Sequence, residues 1–201
     1  MSIEQASRRL EPFGDRPFRV VEATAAGVPR YEVYRLRDRG EIVAIGPGVF
    51  RRARSAVSSS ADLAAVCVLV PRGTICLNSA LAHWDLTDEL PAVVHIAVPR
   101  GSHRPRIEHP ATLVHVFAAP TFDLDRREAT TETGELLRIY SPERAVVDAM
   151  RLAHHVGRDT ALHALSRYLR RPDAQPRRLV VLARELGGRR RIADALEVAL
   201  S

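Results

Sequence analysis

The chain has no lysine: every one of its 30 Lys-plus-Arg positions is arginine. Any mechanism that needs a lysine nucleophile, a Schiff base or the lysine of a phosphate loop is therefore excluded. Cysteine is scarce too. Cys67 and Cys76 are the only two, they form no CxxC pair, and both lie in apolar surroundings (AAVCVLV and TICLN). A structural zinc site needs four ligands at fixed spacing, so these two read as small buried thiols. Long apolar runs are missing; the longest, Ala64–Pro71, falls well short of the ~18 residues that suggest a membrane span. The first residues, MSIEQASRRLEPFG, contain no apolar core of signal-peptide type, and a cytoplasmic protein is expected. There is no GxxxxGK[ST] loop, HRD-type loop, GxSxG or HExxH, no internal repeat and no low-complexity tract.

What remains is an ordinary folded composition over 201 residues, 46% hydrophobic and 27% charged. That length accommodates a small domain followed by a medium one. The net charge of +6 is unevenly spread. Residues 1–57 carry 11 Arg against 7 acids, residues 58–166 carry 10 against 13, and residues 167–191 carry 9 against 2. Two basic segments thus flank a mildly acidic middle, a distribution that favours polyanionic partners without specifying a sequence.

The segment Gly27–Arg54 organises the first basic part. Helices are expected over 3–12 and Phe18–Ala26, the second giving Val20, Val21 and Ala25 to a core. Gly27 supplies a turn, and Pro29 opens a third helix over Pro29–Arg39 at its first position. In that helix Val33 and Leu36 face inward, leaving Arg30, Tyr31, Tyr34, Arg35 and Arg37 largely on the other faces. After Gly40, the segments Glu41–Ile45 and Val49–Ala53 flank Gly46-Pro47-Gly48, a hairpin signal. Three short helices and a basic hairpin describe a winged helix-turn-helix, which puts one helix in the DNA major groove and a β-wing on the backbone. Arg30, Tyr31, Tyr34 and Arg35 are the candidate base readers, and Arg37 is a further candidate DNA-binding residue. Arg51 and Arg52, just past the hairpin, are placed for phosphates.

Ser58-Ser59-Ser60 reads as a linker, and Ser59 with Asp62 as a capping box opening a buried helix over Ala61–Val70. The expected organisation is α+β: a winged helix-turn-helix over residues 1–57, then a mixed α+β domain over residues 58–201, with a small sheet and a helical C-terminal part. Strands are expected at Thr74–Leu77, Val93–Val98, Leu113–Phe117 and Leu136–Tyr140, the middle two buried on both faces. Asn78 is expected to cap a helix over Ser79–Trp84. Ser141-Pro142 opens a helix over Pro142–His155, followed by helices over Thr160–Arg170, Pro176–Leu186 and Ile192–Leu200. Arg189-Arg190-Arg191 is expected on a turn after Gly187-Gly188.

Three segments in order, GPGVFRR (46–52), NSALAHWDLTDELPAVVHIAVPRG (78–101) and IYSPERAVVDAM (139–150), resemble the AbiEi family, the antitoxins of type IV toxin–antitoxin systems. The resemblance implies an N-terminal winged helix that binds inverted-repeat operator DNA and represses its own operon. It also implies a C-terminal domain that counters a cognate nucleotidyltransferase-type toxin. No cofactor or metal is implied. Pro29 stands where such helices often carry a Ser or Thr cap, and Tyr34 where relatives often carry a basic side chain.

Three further groups have chemistry to weigh. His95 and His115 lie mid-strand and are candidates to meet across a sheet, but two histidines without a third ligand make a poor metal site. Asp85, Asp88 and Glu89 share a turn before Pro91. Glu143, Arg144 and Asp148 form the polar core of the third segment, Arg144 and Asp148 four apart on one helix face. These acids motivate an alternative in which the chain is an atypical protein kinase that phosphorylates the toxin. A second alternative is a DNA-binding transcriptional regulator unrelated to a toxin.

Overall fold

The structure, a computed structural model, describes residues 3–53, 60–107, 109–131 and 134–200. The chain divides into two compact units. One comprises Met1–Pro71, Arg106–Thr112 and Ala129–Leu137; the other comprises Arg72–Pro105, Leu113–Glu128 and Arg138–Ser201. Ser58 and Ser59, and with them the expected linker and capping box, lie outside the described residues.

The first unit begins with α1 (Ile3–Arg9), a 3-10 turn at Glu11–Phe13, β1 (Phe18–Arg19), α2 (Val20–Ala25) and α3 (Arg30–Asp38). The hairpin β2 (Ile42–Gly46) and β3 (Val49–Arg52) follows, then α4 (Ala61–Leu69). Three strands form a sheet in the order β1-β3-β2, antiparallel throughout, with a register irregularity between Ala44 and Gly46. Ala6, Leu10, Phe18, Ala23, Val28, Val33, Leu36, Ile42 and Phe50 make one buried cluster. The turn between α2 and α3 favours glycine for its left-handed backbone. Gly27 has φ +81°, and a Cβ there would lie 2.2 Å from the Arg9 guanidinium, which donates a 2.6 Å hydrogen bond to the Gly27 carbonyl.

The expected helix over Phe18–Ala26 starts two residues late. Phe18 pairs with Phe50 across β1 and β3, and its ring also meets Phe13 at 5.0 Å between centroids. Glu22 accepts the Arg19 amide at 2.7 Å and so caps α2 at its true start. The change of start rotates the face that packs: Ala23 is buried, while Val21 and Ala25 are exposed. Packing of Phe18 has overridden the local helical pattern.

Beyond Pro71 come β4 (Thr74–Ile75), α5 (Leu77–His83), β5 (Val94–Pro99), β6 (Thr112–Phe117), a 3-10 turn at Ala119–Thr121, β7 (Arg126–Thr130) and β8 (Leu136–Tyr140). Then α6 (Pro142–Arg151), α7 (Ala153–Val156), α8 (Arg158–Leu169), α9 (Pro176–Leu186) and α10 (Arg189–Leu200) follow. The sheet order is β6-β5-β4-β8-β7, with β4 antiparallel to β5 and parallel to β8. The sheet is mixed and the fold α+β, as expected. The interior strand β5 is buried along Val94–Val98. β6 lies at an edge instead of being covered on both faces, leaving Leu113 and Val116 half-exposed. β7 has no apolar signature (RREAT), which a solvent-facing edge strand does not need. α5 begins at Leu77 with Cys76 in the cap position, two residues before the expected start at Ser79. The helix expected over Pro142–His155 breaks at Leu152 into α6 and α7.

Helix α6 is the axis of the second unit, buried at every position from Pro142 to Met150 and packed by α5, α8 and α9. The Ser141 hydroxyl accepts the Arg144 amide at 3.1 Å. Arg144 is wholly buried. It donates to Asp148 (2.9 Å) and to the carbonyls of Thr121 (3.0 Å) and Leu124 (2.8 Å), and it lies over the Tyr140 ring at 4.3 Å. Asp148 also accepts from Arg151 at 2.6 Å. Removing Asp148 strands a buried guanidinium, so Asp148→Ala is expected to lower stability by about 3–5 kcal/mol. Urea denaturation followed by the fluorescence of Trp84 checks this, because its indole donates to the Tyr140 carbonyl within the same unit. A loss below about 1 kcal/mol contradicts the assignment.

Candidate nucleic-acid interface

Helix α3 follows Pro29, whose extended ψ of 147° delivers the chain to Arg30. Val33, Leu36 and Glu32 are buried, which fixes the helix rotation and sends Arg30, Tyr31, Arg35 and Arg37 outward. Tyr31 is 56% exposed. Tyr34 behaves differently from its neighbours. It is half-buried, its ring meets Phe50 edge-on at 5.8 Å, and the guanidinium groups of Arg30 (5.8 Å) and Arg37 (5.0 Å) lie over it. Its ring is thus a platform for two arginines as well as part of the wall of the core.

The arginines of this surface are held to different degrees. Arg37 donates through Nε and Nη2 to Asp38. Arg35 donates through Nη1 to Glu32 at 3.0 Å. Arg30 and Arg52 make no ion pair among the described residues. Arg51 and Arg52 are half-buried on β3 of the wing, and the Arg51 Nε is buried without a hydrogen-bond partner among the described residues. Gly46, at the wing's turn, passes so close to α4 that a Cβ would lie 2.4 Å from a Leu69 methyl. Arg19 donates to the Val68 carbonyl at the end of the same helix. The seven residues named from the sequence therefore divide between α3 and the adjoining wing of one compact unit. Glu32 was not among them. Its i,i+3 spacing to Arg35 is visible in the sequence, but its burial is not.

Residues 5–53 match a family model described as "Transcriptional regulator, AbiEi antitoxin". This segment is an AbiEi-type transcriptional-regulator domain. It contains α1 to α3 and the whole wing, the elements just described. The fold of the chain is similar to that of the Rv2827c protein from Mycobacterium tuberculosis, known from a crystal structure. The TM-score is 0.55 and the identity 16%, over 97% of this chain and 79% of that one, a likeness of fold alone. Among curated proteins none matches the chain. No helix of the described residues is long and apolar enough to cross a membrane.

Outside this domain several of the other groups make ion pairs and hydrogen bonds with one another. Asp88 takes an ion pair from Arg167, which holds its carboxyl below the usual range. Glu143 accepts from the Tyr168 hydroxyl at 3.1 Å and lies 3.5 Å from Arg127. Burial pushes the Tyr168 phenol up to about 12. Arg171 pairs with Asp173, and Arg178 with Asp125. Arg189, Arg190 and Arg191 form the first turn of α10 instead of an open loop, and Arg191 donates to the Arg151 carbonyl at 3.1 Å. Among the described residues no group of three His, Cys, Asp or Glu is arranged to hold a metal ion.

His95 and His115 do meet across β5 and β6, with Nδ1 and Nε2 3.1 Å apart and both rings buried. Burial, followed by the neighbouring His95 and His155 and by Arg104, pushes His115 down from 6.5 to about 4, and burial also lowers His95. A histidine whose folded value is depressed contributes stability in full above its unfolded value and loses it as pH falls toward the folded one. Thermal unfolding read at Trp84 should therefore fall in temperature between pH 6.5 and 5, and His115→Leu should flatten that decline. An unchanged slope in the variant places the titration elsewhere.

Proposed function

We propose that this chain is an antitoxin of a type IV toxin–antitoxin system that represses its own operon. In this reading residues 1–57 bind operator DNA and residues 58–201 counter a cognate nucleotidyltransferase-type toxin. The observation that carries it is the arginine-bearing outer face of α3 beside a basic wing, within the segment matched to an antitoxin regulator model.

The chemistry of each side chain follows from its position. Arg30, Tyr31 and Arg35 on the outer face of α3 reach base edges in the major groove, where a guanidinium can hydrogen-bond guanine through two donors. Arg37 and the Tyr34 platform flank them. Arg51 and Arg52 on the wing meet phosphates, which set register without reading sequence. An inverted-repeat operator would take two copies of the chain, one per half-site.

A gel shift with the chain's own upstream DNA tests the repressor half. Binding is expected, weakening steeply as salt rises. Arg35→Ala should weaken binding to the upstream DNA more than to a scrambled duplex, whereas Arg52→Ala should weaken both alike. Absence of binding at low salt, where phosphate contacts are strongest, overturns this half. The antitoxin half predicts that a nucleotidyltransferase encoded beside this chain arrests growth alone and not with it; arrest in both cases overturns that half.

A further inference from the structure

Glu32 stands out on α3. It is an acidic residue in the helix that bears the arginine face, it is only 1% exposed, and its Oε2 has no hydrogen-bond partner among the described residues. A buried carboxylate with an orphaned oxygen is costly to folding, and an apolar side chain of similar size would remove that cost. The contact its other oxygen makes is the 3.0 Å ion pair to Arg35 Nη1.

The geometry points to Glu32 as a positioning residue that orients Arg35 for base reading, an inference that rests on the DNA-binding role proposed above. Arg35 is 57% exposed, and its Nε and Nη2 have no partner among the described residues. A guanidinium is planar and presents its donors in a rigid fork. With Nη1 anchored to a fixed carboxylate, the edge carrying Nε and Nη2 is left for the two acceptors, O6 and N7, of a guanine. The anchor also removes rotamer freedom from a long side chain before it meets DNA, so less entropy is lost on binding. Burial matters equally. An exposed carboxylate on this face would repel phosphates, whereas one with its open side sealed in the core acts on DNA only through Arg35. The other arginines of the helix are held in other ways, Arg37 by exposed Asp38 and Arg30 over the Tyr34 ring, and neither has a buried anchor.

The test uses the full chain, its upstream duplex and a scrambled duplex of equal length. Glu32→Gln is expected to weaken binding to the upstream duplex by about 5- to 150-fold, the range for losing one bidentate base contact. Binding to the scrambled duplex and the slope of log affinity against log salt should not change, because no phosphate contact is lost. In an Arg35→Ala background the same substitution should have no further effect. Glu32→Met, an apolar replacement of similar size, should remain folded and lose the same selectivity, which separates positioning from stability. Equal loss on both duplexes, no loss on either, or an additive loss in the Arg35→Ala background overturns the assignment of Glu32. Failure of the unsubstituted chain to bind its upstream DNA at low salt overturns the DNA-binding reading and this inference with it; binding that is indifferent to Glu32→Gln overturns this inference alone.

Discussion

Phe50 is the side chain on which the first unit depends. It sits on β3, pairs with Phe18 on β1, and receives the edge of Tyr34 from α3. One buried ring therefore ties the wing, the short first strand and the helix together. Aromatic rings bring large buried area with few rotatable bonds, so they fix angles between elements better than aliphatic side chains of the same volume. The consequence runs outward along Tyr34. The ring wedged against Phe50 is the ring over which Arg30 and Arg37 lie, so the positions of two surface cations are set from inside the core.

The second unit applies the same logic with charge. Arg144 donates through Nε to a carboxylate and through Nη1 to two backbone carbonyls, its guanidinium lies over an aromatic face, and its buried Nη2 has no hydrogen-bond partner among the described residues. Asp148 in turn spans Arg144 and Arg151. Two of the acidic residues named for a catalytic reading make comparable contacts, Glu143 with Tyr168 and Arg127, Asp88 with Arg167. The polar positions of IYSPERAVVDAM thus act as a cap and an internal ion pair for one buried helix. That is a structural reason for their spacing, independent of any reaction.

Much of this was legible in the sequence, for reasons that differ by element. Gly27, Gly40 and the Gly46-Pro47-Gly48 turn are local signals, and they placed α3 and the wing within a residue or two. Ser141-Pro142 placed the start of α6 for the same reason. The errors arose where distant packing decided. Phe18 left the helical pattern to pair with Phe50, β7 carries no apolar code because it lies at an edge, and Leu113 and Val116 are apolar at an edge despite half-exposure. The candidate interface was legible as a set of outward arginines on α3. What the sequence could not give was the buried depth of Glu32 or the wedging of Tyr34, since both depend on what the other face of the helix meets.

The absence of lysine bears on both units. An ammonium is a compact point charge that cannot lie flat on a ring while donating along two edges. Arg144 makes both kinds of contact at once, donating through Nε and Nη1 while its guanidinium covers Tyr140. Arg35 has one donor held by Glu32 and its remaining edge unengaged among the described residues. A lysine at either position would keep the charge and lose the fork. At position 144 one ammonium nitrogen would have to stand in for the separate Nε and Nη1 that reach Asp148 and the carbonyls of Thr121 and Leu124. At position 35 it would leave an anchored ammonium with no second edge to present. An arginine in the core is thus suited to a site where one cation must satisfy several partners in a plane.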